Sequence, residues 1–563
     1  MRILLLTHSF NSLTQRFFIE LRRLDHEVSV EFDINESVLR ESVALYKPDL
    51  IIAPFLKRAI PESVWKKVRC IIIHPGPRGD RGPSSLDWAI MEHAPTWGVT
   101  ALEAAAELDT GPIYASYEFQ MRQASKSSLY RNEVTEAAVK CLHTLLRHLA
   151  DPSFTPGKLD YSNREIIGTA RPFLPQRARH INWQTDTVAT VLAKINSADG
   201  SPGAPCSIAG RHAYVYDACR ETHLTGTAGD VIGKRSGAVC IGCTNGAVWI
   251  THARLHNADN RGIKLPAEHV LIDCPETVSE LPVSLWQEAG TFQEIYYEEH
   301  DRIGFVHFPF YNGAMSTDQC QRLCRALAFA RSRPVTIIAL MGGRDFWSNG
   351  INLNTIEAAE RPADESMRNI VAMDDFVENV IISTNHLTVA VMQGNAGAGG
   401  VFMALAADYI VARRGIVLNP HYKNMGNLYG SEFWTYLLSK RAGRDVQKEI
   451  MQHRLPIGPE TMQAYGLIDD VVDCPPGEFT GLVRRQLLKM LPDAATLIAA
   501  KKRERNRDEA MKPLSAYRTE ELGKMERNFY GFDPSYHVAR YNFVYKIPLS
   551  RTPLHLALHR KKN

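Results

Sequence analysis

Long hydrophobic runs are missing from this sequence: no stretch approaches the roughly eighteen consecutive apolar residues that a membrane-crossing helix needs. The start, MRILLLTHSF, has only a short apolar run and no small-residue cleavage site after it, so no leader or membrane partner is expected and the chain reads as cytoplasmic. An excess of one charge is missing too. The 65 Lys and Arg stand against 62 Asp and Glu, and the resulting +3 argues against nucleic acid as a partner. The one local basic run, Lys501-Lys502-Arg503-Glu504-Arg505-Asn506-Arg507, is expected to be a solvated helix face. Cysteine is sparse: 10 in 563 residues, irregularly spaced, exclude a disulfide framework. Cys240 and Cys243 form a lone Cys-x-x-Cys and Cys320 and Cys324 lie one helical turn apart, yet neither pair has the further ligands of a zinc site. They are expected to be buried thiols, with no metal bound. The turn after the first apolar run, THSFNSLTQ, lacks a Gly-x-Gly-x-x-Gly, which removes a dinucleotide fingerprint.

What is present is enough apolar residue for several cores: 563 residues at 45% hydrophobic exceed what one core organises. Short apolar runs (2–6, 28–32, 49–54, 70–75) alternate with helix-like stretches, the pattern of a doubly wound parallel sheet over residues 1–170. From 171 to 275 short β-like runs such as AYVYDA, AVCIGC and AVWITHARL indicate a small β-rich subdomain. CPETVSELPVSLWQE suggests a linker over 276–296. A second alternating block, IGFVHFPF through DYIVARRGIVLNP, makes 297–475 another α/β domain, and 476–563 is helical in pattern, an expected C-terminal extension. The fold class is therefore α/β multidomain.

Parallel sheets bind ligands at the carboxyl ends of their strands, and His74 in CIIIHPGPRGDRGPSSLDWAI stands at such an end. An imidazole there can shuttle a proton near neutral pH if a carboxylate orients it. Asp109, opening the Asp-Thr-Gly-Pro turn of GVTALEAAAELDTGPI, is the candidate. These words, in order and spacing with INWQTDTVATVLAKINSADGSPGAPC (181–206), resemble the folate-dependent formyltransferase and formyltetrahydrofolate hydrolase family over about 1–275. The resemblance implies a tetrahydrofolate pocket that includes Ile73, Arg81 and Gly82, and an Asn-His-Asp set holding the formyl group. His74 and Asp109 match that set, but Ile73 stands where it has Asn and cannot donate to a developing oxyanion. A dead site, a different donor and a different acceptor are all consistent with that exchange, and the loop from His74 to Arg81 is one residue shorter than the family's.

RDFWSNGINLN (344–354) and MQGNAGAGGVFMALAADYIVAR (392–413) resemble the crotonase, or enoyl-CoA hydratase/isomerase, superfamily. The resemblance implies a coenzyme A thioester whose carbonyl is held by two backbone N–H groups, those of Ile351 and Gly399. Its two glutamates are absent: the first position is Phe402, and the second falls on Tyr422 in NPHYKNMGNLYGSEFWTYLLSK, with Glu432 ten residues further. Tyr422 and Glu432 are the candidate acid and base, in either assignment, with a packed aromatic and a first-turn helix charge as the alternative.

The fusion of both blocks, with HYKNMGNLYGSEFWTY, resembles the hydrogenase maturation factors that make carbon monoxide for the iron ligand of nickel–iron hydrogenase. That implies formyl transfer from N10-formyltetrahydrofolate to coenzyme A, decarbonylation of formyl-CoA, and transient contact with other maturation proteins. Two other classes stay open: a hydrolase or acyl-CoA enzyme with one vestigial domain, and a non-catalytic scaffold that senses folate or coenzyme A.

Overall fold

The first apolar runs become strands because their side chains alternate between two buried faces. The computed structural model describes residues 1–162, 166–256 and 262–561. Strands β1 (Arg2–Thr7), β2 (Glu27–Phe32), β3 (Leu50–Phe55), β4 (Cys70–His74), β5 (Thr96–Glu103) and β6 (Ile113–Gln120) form one sheet in the order β2-β1-β3-β4-β5-β6. Leu4 and Leu6 pack with Leu39 and Tyr46 of the helix Glu36–Tyr46 on one face. The helix Ser12–Arg23 carries Leu13, Phe17 and Leu21 on a single buried stripe, and the side chain of Asn11 accepts from Thr14 N to start it. The sheet is mixed rather than wholly parallel. β1 to β4 are parallel, whereas β5 runs antiparallel to β4 and to β6. A connection of nine residues or fewer can join β5 to β6 only as a hairpin, and that hairpin loop carries Asp109.

Behind the helix Val188–Ser197, strands β7 (Ala204–Ile208), β8 (Arg211–Glu221), β9 (Val231–Arg235), β10 (Ala238–Cys243), β11 (Gly246–Leu255) and β12 (Leu265–Pro266) form an antiparallel sheet. Ser236 and Gly237, at φ 50° and 84°, make the tight turn between β9 and β10 that antiparallel twist favours. Cys240 and Cys243 are buried in β10.

The second block holds two sheets. Strands β13 (Tyr296–His300), β14 (Ile303–His307), β15 (Ile337–Gly342), β17 (Leu387–Met392), β19 (Tyr409–Arg413) and β21 (Asp470–Val472) make the larger, parallel after its first pair. Strands β16 (Phe346–Ser348), β18 (Asn395–Gly397) and β20 (Leu418–Asn419) make a small parallel sheet beside it. Among the described residues no helix is long and apolar enough to cross a membrane.

The chain divides into two compact units, Met1–Glu280 with Leu549–Asn563, and Leu281–Pro548. Three sequence expectations change accordingly. The stretch expected as a linker is tied down on both sides of the division: Lys234 N donates to Ser279 O in the first unit, and Trp286 packs edge-on against Tyr297 and Phe329 in the second. The expected helical extension is not a separate element but packs one stripe of its helices into the second unit, since Val483 and Leu487 pack on Ile303 and Phe305, and Met525, Phe529 and Tyr536 join the main cluster. Its last residues leave that unit. They satisfy edge strand β2, where Val30 N donates to Leu556 O (3.0 Å), Phe32 N to Thr552 Oγ1 (2.8 Å), and the buried Glu31 carboxylate meets His559 Nε2 (2.9 Å) and Arg560 Nη2 (2.8 Å). The basic run is only partly solvated. Arg505 is buried against Tyr436 and Glu509, and Lys501 pairs with Asp408 at 2.7 Å, because these two residues, one turn apart, lie on the inward face of that helix.

Candidate active sites

His74 ends β4 with its ring buried. Its Nε2 lies 2.7 Å from Asp80 Oδ2, while Nδ1 lies 3.6 Å from Asp109 Oδ2. The expected Asp109 is therefore present but is the longer of two carboxylate neighbours; Asp80 is the one in hydrogen-bond contact. Asp109 sits at φ 57° and accepts from Gly82 N at 3.1 Å, which ties the β5–β6 loop to the loop after β4. Gly76 must be glycine, since a Cβ there would overlap both Asp80 and the His74 ring. Burial pulls the His74 pKa down, but the hydrogen bond to Asp80 and the charges of Asp109 and Asp80 outweigh it, and the net shift is upward. Ile73 is buried on the strand beside it. Arg81 is directed away from the imidazole: its guanidinium reaches Glu107 Oε2 and Leu108 O, both at 3.1 Å.

The second centre is built where β16 and β18 run side by side. Gly350, at φ 77°, brings the chain so close that a Cβ on it would stand 3.4 Å from Gly399 N. Ala398, at φ 45°, turns the chain sharply into the helix Gly399–Leu405. Among the described residues neither Ile351 N nor Gly399 N donates to a protein acceptor, which leaves two neighbouring amides available to one carbonyl oxygen. Over them lies Glu432. A Cβ on Gly399 would overlap its Oε1, and Oε2 accepts from Tyr422 OH at 2.5 Å and from Ser431 N at 3.1 Å. Tyr422 stacks on Phe402, ring centroids 5.2 Å apart and planes 16° from parallel, so the residue in place of the first glutamate fixes the ring of the second position. The structure thus brings Tyr422, Glu432, Ile351 and Gly399 into one place.

One carboxylate behind Glu432 is not evident from the sequence. Asp374, fully buried on the helix Pro362–Ile381, accepts from Ser431 Oγ at 2.7 Å and from Glu432 N at 2.8 Å. That contact holds Glu432 and Phe433 in the left-handed region, at φ 61° and 57°. Burial and the Asp374 charge push the Glu432 carboxyl up to about 8, partly offset by the hydrogen bond from Tyr422. Asp374 itself is pushed up to about 7, by burial against its hydrogen bonds. Burial and the Glu432 charge also hold the Tyr422 phenol well above its usual range. The available signal for Asp374 was its position in the apolar stripe Ile370, Met373, Val377, Val380, where a carboxylate must be buried. Among the described residues no group of three His, Cys, Asp or Glu is arranged to hold a metal ion.

Known proteins match each block. Residues 24–146 match the formyl transferase family, 174–264 the formyl transferase C-terminal domain, and 306–533 the enoyl-CoA hydratase/isomerase family. Methionyl-tRNA formyltransferase of Sulfurovum sp. is 24% identical over 222 residues, 38% of this chain and 68% of that protein. Hydrogenase maturation factor HoxX of Bradyrhizobium diazoefficiens is 49% identical over 562 residues, spanning 100% of this chain and 97% of that protein. The crystal structure of HypX from Aquifex aeolicus in complex with tetrahydrofolic acid matches with a TM-score of 0.97 and 49% identity, covering 100% of this chain and 99% of that one. A formyltransferase block and a hydratase block joined in this order, matched along their whole length at that identity, are a family trait rather than two separate likenesses: the chain belongs to the HypX/HoxX family of hydrogenase maturation factors.

Proposed function

We propose that the chain synthesises carbon monoxide for hydrogenase maturation in two steps: formyl transfer from N10-formyltetrahydrofolate to coenzyme A, then decarbonylation of formyl-CoA. Folate as the donor is supported by the tetrahydrofolic acid bound to the Aquifex aeolicus relative and by the matched formyl transferase family. In the first step the coenzyme A sulfur attacks the formyl carbon and the carbon–N10 bond breaks. Asp109 takes the thiol proton and His74, whose cation its two carboxylate neighbours favour, gives one to N10; the two residues then exchange a proton across their 3.6 Å gap. Ile73, buried at the adjoining strand position, adds no polar group that could hold a competing water.

The single observation that carries the reading is the Tyr422–Glu432 pair seated over the Gly399 amide. Hydration of an enoyl-CoA has no second glutamate to use here. Decarbonylation needs only that the formyl proton leave carbon and that sulfur gain one. Glu432 takes the proton, the carbon–hydrogen pair becomes the lone pair of carbon monoxide, and the carbon–sulfur pair departs with sulfur. Tyr422 protonates the thiolate and recovers its proton from Glu432 along their 2.5 Å hydrogen bond. The Ile351 and Gly399 amides orient the carbonyl. Formyl-CoA supplied directly to the purified protein is expected to yield carbon monoxide, and Glu432→Gln and Tyr422→Phe each to slow its release by roughly 10²-fold or more. Parent-rate release from both variants refutes these roles.

A further inference from the structure

The formyl site contains a carboxylate that the roles above leave unused. Asp80 is 2% exposed, its Oδ2 lies 2.7 Å from His74 Nε2, and its Oδ1 is buried without a hydrogen-bond partner. Burying a carboxylate with one oxygen unsatisfied is costly unless a cation offsets it. The loop also spends effort on placing it. Gly76 leaves the room its side chain occupies, Gly168 lies so close that a Cβ there would overlap Asp80 N, and Gly168 N donates to Arg78 O at 2.9 Å. Among the described residues, the ionisable groups that face His74 are Asp80 from its own loop and Asp109 from the β5–β6 loop, and Arg81 is bound elsewhere. On the strand, the neighbour Ile73 offers neither charge nor a side-chain hydrogen bond.

Building on the formyl-transfer reading, we propose that Asp80 is a positioning residue for that step: it anchors Nε2 of His74, so that a charged imidazolium with its Nδ1–H on the Asp109 side supplies the positive pole that Ile73 cannot. The geometry divides the work between the two carboxylates. At 2.7 Å, Asp80 makes a charge-assisted bond that fixes the ring; at 3.6 Å, Asp109 leaves Nδ1–H room for substrate. An imidazolium beside the formyl oxygen favours the negative charge that develops there as sulfur adds. The upward shift of His74 is consistent with this division.

The test reads His74 itself as well as turnover. In the full-length protein with labelled histidine, His74 is expected to titrate above its ordinary 6.5; titration at or below that value overturns the proposal without any variant. In Asp80→Asn the midpoint is expected to fall by about one unit or more, and tetrahydrofolate release at pH 7.5 to fall about ten-fold or more. KM for formyltetrahydrofolate should change little, and the rate should partly recover at lower pH. Asp80→Glu, which keeps the charge, should retain more of both properties. An unchanged midpoint, or an unchanged rate at pH 7.5, in a folded Asp80→Asn protein overturns the proposal. If the parent protein releases no tetrahydrofolate with coenzyme A, the functional reading fails and this role with it; if the parent turns over and Asp80→Asn equals it, this role alone fails.

Discussion

The two centres use the same ingredients, buried carboxylates beside a proton carrier, and are governed by opposite charge effects. In the first, both carboxylates face an imidazole, so their charges favour its cation and outweigh burial to raise the His74 pKa. In the second, Glu432 faces Asp374, and like charge adds to burial, so the carboxyl resists ionising and lies near 8. One environment favours a proton on nitrogen, and the other raises the basicity of the carboxylate that, in the proposed decarbonylation, removes hydrogen from carbon. The difference lies in which partner shares the buried space, and not in the residue types alone.

Separating the centres is the most severe way to break this comparison. His74→Ala or Asp109→Asn should abolish carbon monoxide formation from formyltetrahydrofolate while leaving added formyl-CoA a competent substrate, as followed by spectroscopic trapping of the gas. Unchanged turnover of the folate substrate would remove both residues from the mechanism. A smaller effect is expected from Asp374→Asn. Loss of the neighbouring charge should lower the Glu432 pKa, so the rate of carbon monoxide release from formyl-CoA, which rises with pH as the carboxylate forms, should rise at lower pH than in the parent. A profile that does not move would mean Asp374 only shapes the backbone.

The same shift has a stability consequence. A carboxyl whose folded value of about 8 exceeds its ordinary 4.5 binds its proton more tightly in the folded state. Its contribution is intact below about pH 4.5 and is lost as pH rises toward 8, at up to ~1.4 kcal/mol per pH unit. Glu432→Gln should flatten the pH dependence of denaturant unfolding in that window, and parallel curves for parent and variant would contradict the shift. The smallest effect concerns Ile73. Ile73→Asn places a polar group beside His74 and should raise formate relative to carbon monoxide; a constant ratio would argue that dryness at this position does not protect the formyl group.

Much of this was legible in the sequence. The apolar runs gave the strands, and a histidine closing CIIIH marked the mouth of a sheet. Tyr422 and Glu432 were readable as departures from a glutamate pattern, and they meet because Glu432 and Phe433 turn through left-handed backbone. What was not legible depends on packing. Asp80 lies six residues past His74 in PGPRGDRGP, where spacing alone does not reveal that the chain folds back onto the ring. Asp374 is distant in sequence and shows only as one carboxylate in an apolar stripe. The final segment has no strand or helix period, and its position follows from open edge groups on β2 and from the buried Glu31, a single acidic residue in VSVEF.

The central claim is that one polypeptide carries a formyl group from folate nitrogen to carbon monoxide through a thioester. The most direct measurement supplies formyl-labelled N10-formyltetrahydrofolate and coenzyme A to the purified protein and follows the label. Labelled carbon monoxide captured by a haem protein is expected, dependent on coenzyme A, with labelled formyl-CoA accumulating in Glu432→Gln. Label recovered only as formate, or carbon monoxide formed without coenzyme A, would contradict it.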